Sequence, residues 1–469
     1  MHFDPVSPTV SHANNGQPWW SGLTRYHYFV FTVAALGWLA DCMDQNLFTL
    51  AREDAIADLL HVSATDRNVT KYATWATSVF LIGWGTGGLI FGIMGDRLGR
   101  VKTMMLTILF YSVFTGLSAW SVGVVDFILY RFLSGLGVGG EFAVGVALLA
   151  ETMPDKARSY ALGSLQAFSA AGNISAALVY MLVGMLEQRG FLHELSLPGF
   201  GPAAPWRYMF LIGLLPALLA LIIRGRLREP ERWQAVAGDA SPKRKGSYAE
   251  LFGNQRWRKN AVVGVLLAFS GVVGLWGIGF FSGALQKIIF RESFGVEGMT
   301  GDELEGQVKF WVGVSFMVLN VGAFFGIYAF SWLSQATGRK PAFAVSFVSA
   351  LLSTALVFGF MKTRGDIFWM IPLMGFCLLS LFGGYAIYFP ELFPTHLRST
   401  GTSFCYNVGR FVAASGPTAL GFLASQVYGN FGEPAIRMRY AGVTMCAVFL
   451  IGLAVLPFAP ETKGQPLPE

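Results

Sequence analysis

The sequence contains few charged residues. Asp, Glu, Lys and Arg make up 13% of its 469 residues, whereas a typical soluble domain carries about 25%. Hydrophobic residues make up 54% of the chain, and its mean hydropathy is +0.51. Water therefore cannot be the solvent for most of the chain, and an ordinary soluble enzyme or binding domain is excluded.

Cysteine and histidine are also scarce. The six histidines fall in predicted loops or termini, and the four cysteines lie in apolar stretches without Cys-x-x-Cys spacing. These cysteines are Cys42, Cys377, Cys405 and Cys446. We therefore expect cysteines buried in membrane helices, with neither a disulfide nor a metal site.

Several motifs are absent. The sequence has no H-E-x-x-H, G-x-S-x-G or G-x-x-x-x-G-K-[ST], which argues against an enzyme and against an ATP-driven pump. The net charge is +6, and the basic residues form no run with interleaved aromatics, which argues against a nucleic acid as partner. The first 17 residues are polar, so no cleavable signal peptide is expected. No cofactor is expected either.

The sequence does contain long apolar runs. A membrane-spanning helix needs about 20 mainly apolar residues. Twelve segments fit this requirement, namely 28–50, 72–94, 103–122, 127–150, 162–186, 206–223, 261–289, 311–333, 342–361, 368–389, 402–428 and 440–458. They predict an all-α membrane protein with a tail (1–27), a six-helix bundle (28–223), a central loop (224–260), a second six-helix bundle (261–458) and a C-terminal tail (459–469).

The distribution of Lys and Arg predicts the orientation of the chain. The central loop 224–260 contains ten of these residues, and the loop after the second segment contains Arg97, Arg100 and Lys102. Short loops rich in Lys and Arg stay on the cytoplasmic side of a membrane. Both termini are therefore predicted to be cytoplasmic.

A short sequence pattern occurs once in each half of the chain. Glu391, Pro394, Arg398 and Ser399 repeat Glu151, Pro154, Arg158 and Ser159 with a common offset of 240 residues (391 − 151). The pair Gly99-Arg100 recurs as Gly338-Arg339. Matching loops in the two halves predict two bundles related by a parallel pseudo-two-fold axis along the membrane normal.

At these residues the sequence resembles the major facilitator superfamily. The loop pattern Gly-x-x-x-Asp-Arg-x-Gly-Arg is present from Gly92 to Arg100, the fourth segment reads Arg-x-x-x-Gly-x-Gly-x-Gly from Arg131, and the chain ends near Pro-Glu-Thr-Lys-Gly at 460–464. The resemblance implies the major facilitator fold and transport by alternating access. It covers nearly the whole chain but specifies the substrate only weakly.

Acids and arginines at the loop motifs predict a cytoplasmic latch between the bundles that is closed in the outward-open state. The predicted gating residues are Gly92, Asp96, Arg97, Gly99, Arg100, Glu151, Arg158, Glu391 and Arg398. A simple positive-inside anchor would account for the arginines but not for the acids.

One branch of the superfamily is the most similar. The first segment contains Asp41-x-x-Asp44, which resembles the Asp-x-x-Asp of proton symporters for aromatic acids, sialate and small carboxylates. The seventh segment lacks the Gln- and Asn-rich pattern of sugar porters. The resemblance implies proton-coupled symport of a small organic anion by a monomer in the bacterial inner membrane, with the proton as coupling ion. A sugar or neutral-metabolite porter is the alternative.

Charged residues inside a membrane are costly, at about 2.5–3.5 kcal/mol each near a helix centre, so those that occur here are informative. Asp44 and Arg131 lie at similar depths, which predicts an ion pair that a proton can displace. Asp41 lies one turn from Asp44 on the same face. Glu141 is a candidate second proton site. Each of these residues has a purely structural alternative, as a fastener between neighbouring helices.

Arg410 is the deep cation of the second half. It is predicted to bind a substrate carboxylate, because guanidinium meets carboxylate in a bidentate geometry; an interhelical clamp is the alternative. Further candidates for the substrate site are Asn407, Tyr406, Trp276, Tyr385 and Gln166. Taken individually, each of these further candidates is as well explained by packing.

Overall fold

The structure is a computed structural model in which all the long elements are helices. It describes residues 19, 20, 22–63, 66–189, 191–197, 199, 201, 202, 204–238, 245–279, 282–413, 419, 420 and 422–469. Most of the predicted N-terminal tail, with His2 and His12, lies outside these residues. Lys243 and Arg244 of the predicted central loop also lie outside them.

Helices follow one another along both halves of the chain. They are α1 (Arg25–Leu60), α2 (Arg67–Leu98), α3 (Arg100–Ser118), α4 (Val124–Thr152), α5 (Asp155–Gln188), α6 (Phe191–Glu194), α7 (Pro205–Ile212), α8 (Ala217–Arg226), α9 (Glu231–Gly238), α10 (Tyr248–Gly253), α11 (Gln255–Val272), α12 (Ser282–Val296), α13 (Gly301–Thr337), α14 (Arg339–Phe360), α15 (Met370–Glu391), α16 (Arg398–Ala413), α17 (Pro434–Met445) and α18 (Val448–Val455). A two-residue antiparallel hairpin pairs Ser196–Leu197 with Gly201–Pro202.

The helices fit a membrane. Within the described residues, nine helical spans are long and apolar enough to cross a bilayer, and Pro205–Ala220 is a shorter apolar helix. The predicted all-helical membrane protein is thus confirmed. The total of twelve spans and the pseudo-symmetry of two bundles stay predictions. All four cysteines are buried, as expected.

The predicted segments differ from the helices at several places. Segment 206–223 is broken between α7 and α8, where Pro216 cannot donate a backbone hydrogen bond to a continuous helix. Segment 261–289 is interrupted by a π-helical turn at Val273–Ile278. The predicted central loop contains two short helices, α9 and α10, and the first turn of α11.

Helices from the two halves of the chain pack directly against each other. The main contacts across the halves join α2 to α16 and α5 to α13. Within the first half, α2 and α4 approach so closely that a Cβ atom on Gly139 would clash with the carbonyl oxygen of Trp84. Small residues that let backbones approach are typical of membrane helix interfaces. This packing brings polar side chains of α1, α2, α4 and α16 together.

Candidate functional site

The loop motif forms an ion-pair cluster at one end of the helices. We name it the gate cluster; it consists of Asp96, Arg100, Glu151, Thr395 and Arg398. Arg100 donates two hydrogen bonds to Glu151, at 3.2 and 2.8 Å, and a third to the carbonyl oxygen of Thr395, at 2.7 Å. Arg398 donates to Glu151 at 2.7 Å. Glu151 therefore accepts from one arginine of each half, which ties the halves together.

Asp96 joins α2 to the start of α16. Its carboxylate accepts the backbone N–H groups of Ser399 and Thr400, at 3.1 and 2.8 Å, and the Thr400 hydroxyl at 2.6 Å. It also pairs with Arg100 at 2.9 Å. An acid at a helix N-terminus is stabilised by the unpaired N–H groups and the helix dipole. Asp96 thus caps a helix of the other half of the chain.

The second half repeats the arrangement. Arg339 donates two hydrogen bonds to Glu391, at 3.0 and 2.8 Å, and a third to the hydroxyl of Ser159 in α5. Gly99 and Gly338 have φ of +112° and +111°, a backbone region that strongly favours glycine. The repeated Gly-Arg pair is therefore explained by a turn that only glycine adopts without strain, followed by an arginine aimed at a glutamate.

Two glutamates that were not among the predicted site residues cap the helices after these turns. Glu229 accepts the N–H groups of Val101 and Lys102 at the start of α3. Glu461 accepts those of Arg339 and Lys340 at the start of α14, at 2.8 and 3.0 Å. Both glutamates follow the last helix of their half. Their matching positions in the two halves could have predicted this shared capping role. Only Glu461 lies in a motif identified from the sequence, Pro-Glu-Thr-Lys-Gly at 460–464.

Other predicted gating residues lie nearby with different partners. Arg97 donates to the carbonyl oxygen of Lys245 in the segment between the halves. Arg158 donates to the carbonyl oxygen of Ala150 at 2.8 Å and pairs with the exposed Asp155. Gly92 lies against Ser403 of α16, where a Cβ atom would clash.

We expect Asp96→Asn to open the gate end. Asp96 and Glu151 are the two acids that face the buried Arg100 and Arg398, and the substitution removes the charge of one of them. Breaking a buried ion pair costs about 3–5 kcal/mol. Ser403 lies at the α2–α16 contact, so a cysteine at position 403 should react with a maleimide faster in Asp96→Asn than in the parent. The exposed substitution Glu231→Gln is the matched control. Equal labelling rates in all three proteins would remove Asp96 from the gate.

Glu461 gives a pH-dependent prediction. Burial raises the pKa of this carboxyl, but the four backbone N–H groups of Arg339, Lys340, Thr462 and Lys463 outweigh burial and lower it. Because the folded-state pKa is depressed, its stabilising effect is present above the ordinary glutamate value of about 4.3 and is lost on acidification. Glu461→Gln should therefore lower Tm at pH 7, and the difference from wild type should shrink below that value. A difference that is constant with pH would contradict this.

The predicted ion pair between Asp44 and Arg131 is not formed. Among the described residues, no salt bridge within 4.0 Å joins them. Arg131 instead donates to the hydroxyl of Ser118, at 3.1 and 2.6 Å, and lies 4.7 Å from the ring centre of Phe210. Asp44 accepts from Ser134 at 3.3 Å. Small hydroxyl side chains on α3 and α4 thus bind the two groups in place of a direct ion pair.

Both groups keep unused hydrogen-bonding atoms. Oδ1 of Asp44 and Nη1 of Arg131 have no hydrogen-bond partner in the described part of the chain. The two side chains are fully buried and interact electrostatically. Gly213, at the break between α7 and α8, leaves room for the carboxylate: a Cβ atom there would lie 3.2 Å from Oδ1 of Asp44.

Asp41 and Glu141 form a second pair of buried acids. Asp41 accepts from Gln45 at 3.2 Å, while both oxygens of Glu141 lack a hydrogen-bond partner within the described residues. Glu141 lies against Gly37 of α1. Asp41 interacts electrostatically with Glu141, Asp44 and Arg410. The three acids are therefore one group, and it faces the arginine of the other half.

Arg410 is held between two aromatic rings. Its guanidinium carbon lies 3.8 Å from the ring centre of Trp84 in α2 and 4.3 Å from that of Tyr406. Nη1 donates to Asn407 at 3.2 Å, and Nε has no hydrogen-bond partner among the residues described. Asp41, Asp44, Arg131, Glu141 and Arg410 are named the central cluster below.

Aromatic rings from both halves continue from Arg410. Trp276, in the π-helical turn, meets Trp84 edge to face at 5.8 Å, and Phe142 stacks on Tyr406 at 4.0 Å. Trp84, Phe142, Ser118 and Ser134 were not predicted. In the sequence, Trp84 stands between Gly83 and Gly85 in the middle of α2. A large ring flanked by glycines was the signal that could have predicted its place in the site.

The remaining candidates separate into two groups. Tyr385 donates its hydroxyl to the carbonyl oxygen of Leu267 and stacks on Phe389, which explains it by packing. Asn407 donates to Ser403 and, at 3.4 Å, to the carbonyl oxygen of Gly139 in the other half. Gln166 is buried with Oε1 unpartnered within the described chain. Asn407 and Gln166 therefore remain candidates for a polar substrate site.

These features define a multi-pass membrane transporter: helices of two halves enclose buried charges and are tied together at one end by ion pairs. The chain belongs to the Major Facilitator Superfamily, whose family model matches residues 33–417.

Several named proteins are similar to the chain. A putative metabolite transport protein of Haemophilus influenzae is 30% identical over 420 residues, covering 87% of this chain and 92% of its own. The cis,cis-muconate transport protein of Acinetobacter baylyi is 28% identical, covering 93% and 95%. The structure of the proton:xylose symporter XylE bound to 6-bromo-6-deoxy-D-glucose has a TM-score of 0.70 at 18% identity, covering 94% and 98%. That last likeness concerns the fold.

Proposed function

We propose that this protein is a proton-coupled symporter of small organic anions in the bacterial inner membrane, with twelve helices in two bundles and both termini in the cytoplasm. The observation that carries the proposal is the composition of the central cluster. It contains three buried carboxyl groups, Asp41, Asp44 and Glu141, but two buried guanidinium groups, Arg131 and Arg410.

The charges of this cluster imply a proton. If every group were ionised, the cluster would carry one uncompensated negative charge inside the membrane, which costs several kcal/mol. One proton shared among the acids removes that charge. A substrate carboxylate bound at Arg410 adds a negative charge, and the cluster then favours one proton more. Binding of the anion therefore strengthens binding of the proton, and thermodynamic linkage requires that the proton strengthens binding of the anion by the same factor.

The surroundings of Arg410 support a planar or unsaturated acid. Trp84, Tyr406 and Trp276 provide apolar ring faces, and Nε of Arg410 is an unused donor within the described chain. Relatives with similar length include transporters named for cis,cis-muconate, 4-methylmuconolactone and niacin, and another named for sialic acid. Sugar transport is the alternative, and Arg410 has no evident role in it.

The gate cluster supports alternating access. Its ion pairs hold the two halves together at the end that the positive-inside rule assigns to the cytoplasm. In this arrangement the substrate would enter from the opposite side. Protonation and substrate binding at the central cluster then permit the halves to separate at the gate end.

Binding of candidate substrates gives the first test. We expect nicotinate, benzoate or cis,cis-muconate, and not xylose, to raise the Tm of the purified protein. A ligand at 100 times its Kd stabilises the folded state by about 2.7 kcal/mol. The amide of an active acid should have little effect, because it lacks the charge that Arg410 binds. Stabilisation by xylose, with none by any carboxylate, would replace this proposal with the sugar alternative.

A further inference from the structure

A groove on the lipid-facing side lies between α11 and α18, at the same end as the gate cluster. It has a volume of 550 Å³. Arg258 and Lys259 line its mouth, and Val262, Leu266, Val455 and Phe458 line its length. Val262, Leu266 and Phe458 are 49%, 37% and 63% exposed. The groove is thus basic at one end and apolar along the rest.

The first turn of α11 carries three basic residues that form no ion pair within the described part of the chain. These residues are Arg256, Arg258 and Lys259, and all three are exposed. Cations near a helix N-terminus oppose the helix dipole and are unfavourable there. The first turn of α11 also contains no acid. Arg258 and Lys259, the two cations that line the groove, therefore favour an anion at its mouth.

The chemistry of the groove selects its occupant. A free phosphate would use the cations but not the apolar length, and a zwitterionic lipid would use the length but bring no net charge. We propose that the groove binds one anionic phospholipid, with its phosphate held by Arg258 and Lys259 and an acyl chain lying along Val262 and Leu266. Basic residues next to a membrane helix attract anionic lipid in this way.

The test is native mass spectrometry of the detergent-purified full-length protein. Phosphatidylglycerol and phosphatidylcholine with identical acyl chains are added at equal concentration, and the bound fraction of each is measured. We expect phosphatidylglycerol to be preferred. Arg258→Gln together with Lys259→Gln should weaken its binding roughly 30-fold, since each cation near the membrane surface contributes about 5.5-fold and the two factors multiply. Lys102→Gln with Arg226→Gln, which removes two exposed cations elsewhere, should bind like wild type.

Two further measurements separate the possible ligands. Leu266→Trp fills the groove and should reduce binding of both lipids, while glycerol 3-phosphate should not compete with phosphatidylglycerol. Equal binding of the two lipids by wild type would overturn the proposal. So would an unchanged preference in the Arg258 and Lys259 double variant, or full competition by glycerol 3-phosphate. Tm values confirm that each variant is folded.

Discussion

Arg410→Ala is expected to abolish measurable binding of the substrate acid. The guanidinium is buried, stacked between Trp84 and Tyr406, and has one donor without a hydrogen-bond partner among the described residues. Removing one member of a buried, hydrogen-bonded charge pair costs at least about 2 kcal/mol, or roughly 30-fold in affinity. Arg410→Lys should retain part of the affinity through its charge, since ammonium lacks the planar fork. Isothermal titration calorimetry measures the Kd of each variant for an acid that raises the Tm of the wild-type protein.

The matched control for Arg410→Ala is Arg291→Ala. Arg291 lies in the same half and forms an exposed ion pair with Glu305, so its loss should leave substrate affinity unchanged. Tm values for each variant distinguish lost binding from lost folding. If Arg410→Ala is folded and binds the acid with wild-type affinity, Arg410 is an interhelical clamp and the anion site lies elsewhere.

Asp44→Asn is expected to uncouple transport. Asparagine mimics the protonated carboxyl, so this buried position can neither bind nor release the coupling proton during the transport cycle. Accumulation driven by a pH gradient should be lost, whereas exchange between external and preloaded substrate should continue. Uptake and exchange of the labelled acid in proteoliposomes measure both quantities. Glu53→Gln, an exposed carboxylate on the same helix, is the matched control.

Related variants locate the coupling proton among the three acids. Asp41→Asn and Glu141→Gln are tested alongside Asp44→Asn. Wild-type accumulation by Asp44→Asn together with lost accumulation by Glu141→Gln would transfer the principal role to Glu141. Arg131→Ala should also impair coupling, because it leaves the cluster with an excess of acid, and Arg131→Lys should restore it poorly since Ser118 binds two atoms of the guanidinium.

The gate cluster was largely predictable because its residues lie in short repeated motifs. Gly99 and Gly338 occupy the same conformation, and each is followed by an arginine that reaches a glutamate. The sequence did not show which partners would pair across the halves. Glu151 meets Arg398 rather than Arg158, and that choice depends on how the two halves pack.

The central cluster was predictable in composition but not in contacts. Scarcity of charge in apolar segments identified Asp41, Asp44, Arg131, Glu141 and Arg410. Depth along a helix placed Asp44 near Arg131, but it carried no information about Ser118 and Ser134, which bind the two groups instead. Small hydroxyl residues are common in membrane helices, so nothing in the sequence distinguished these two.

Helix irregularities were the least predictable feature. The π-helical turn that carries Trp276 and the break at Pro216 both lie inside uniformly apolar segments. Because a hydropathy window averages over about 20 residues, it does not detect a break or a π-helical turn inside an apolar segment. Pro216 was a visible signal for a break, because proline cannot donate a backbone hydrogen bond, whereas the π-helical turn is decided by packing against neighbouring helices.

Proton movement during uptake tests the central claim most directly. Proteoliposomes containing a pH-sensitive dye are given nicotinate, benzoate or cis,cis-muconate outside, with xylose as comparison. We predict that uptake of at least one carboxylate acidifies the interior, that an inward proton gradient drives its accumulation, and that Asp44→Asn does neither. Carboxylate uptake that leaves the internal pH unchanged, or acidification that accompanies xylose alone, would contradict this prediction.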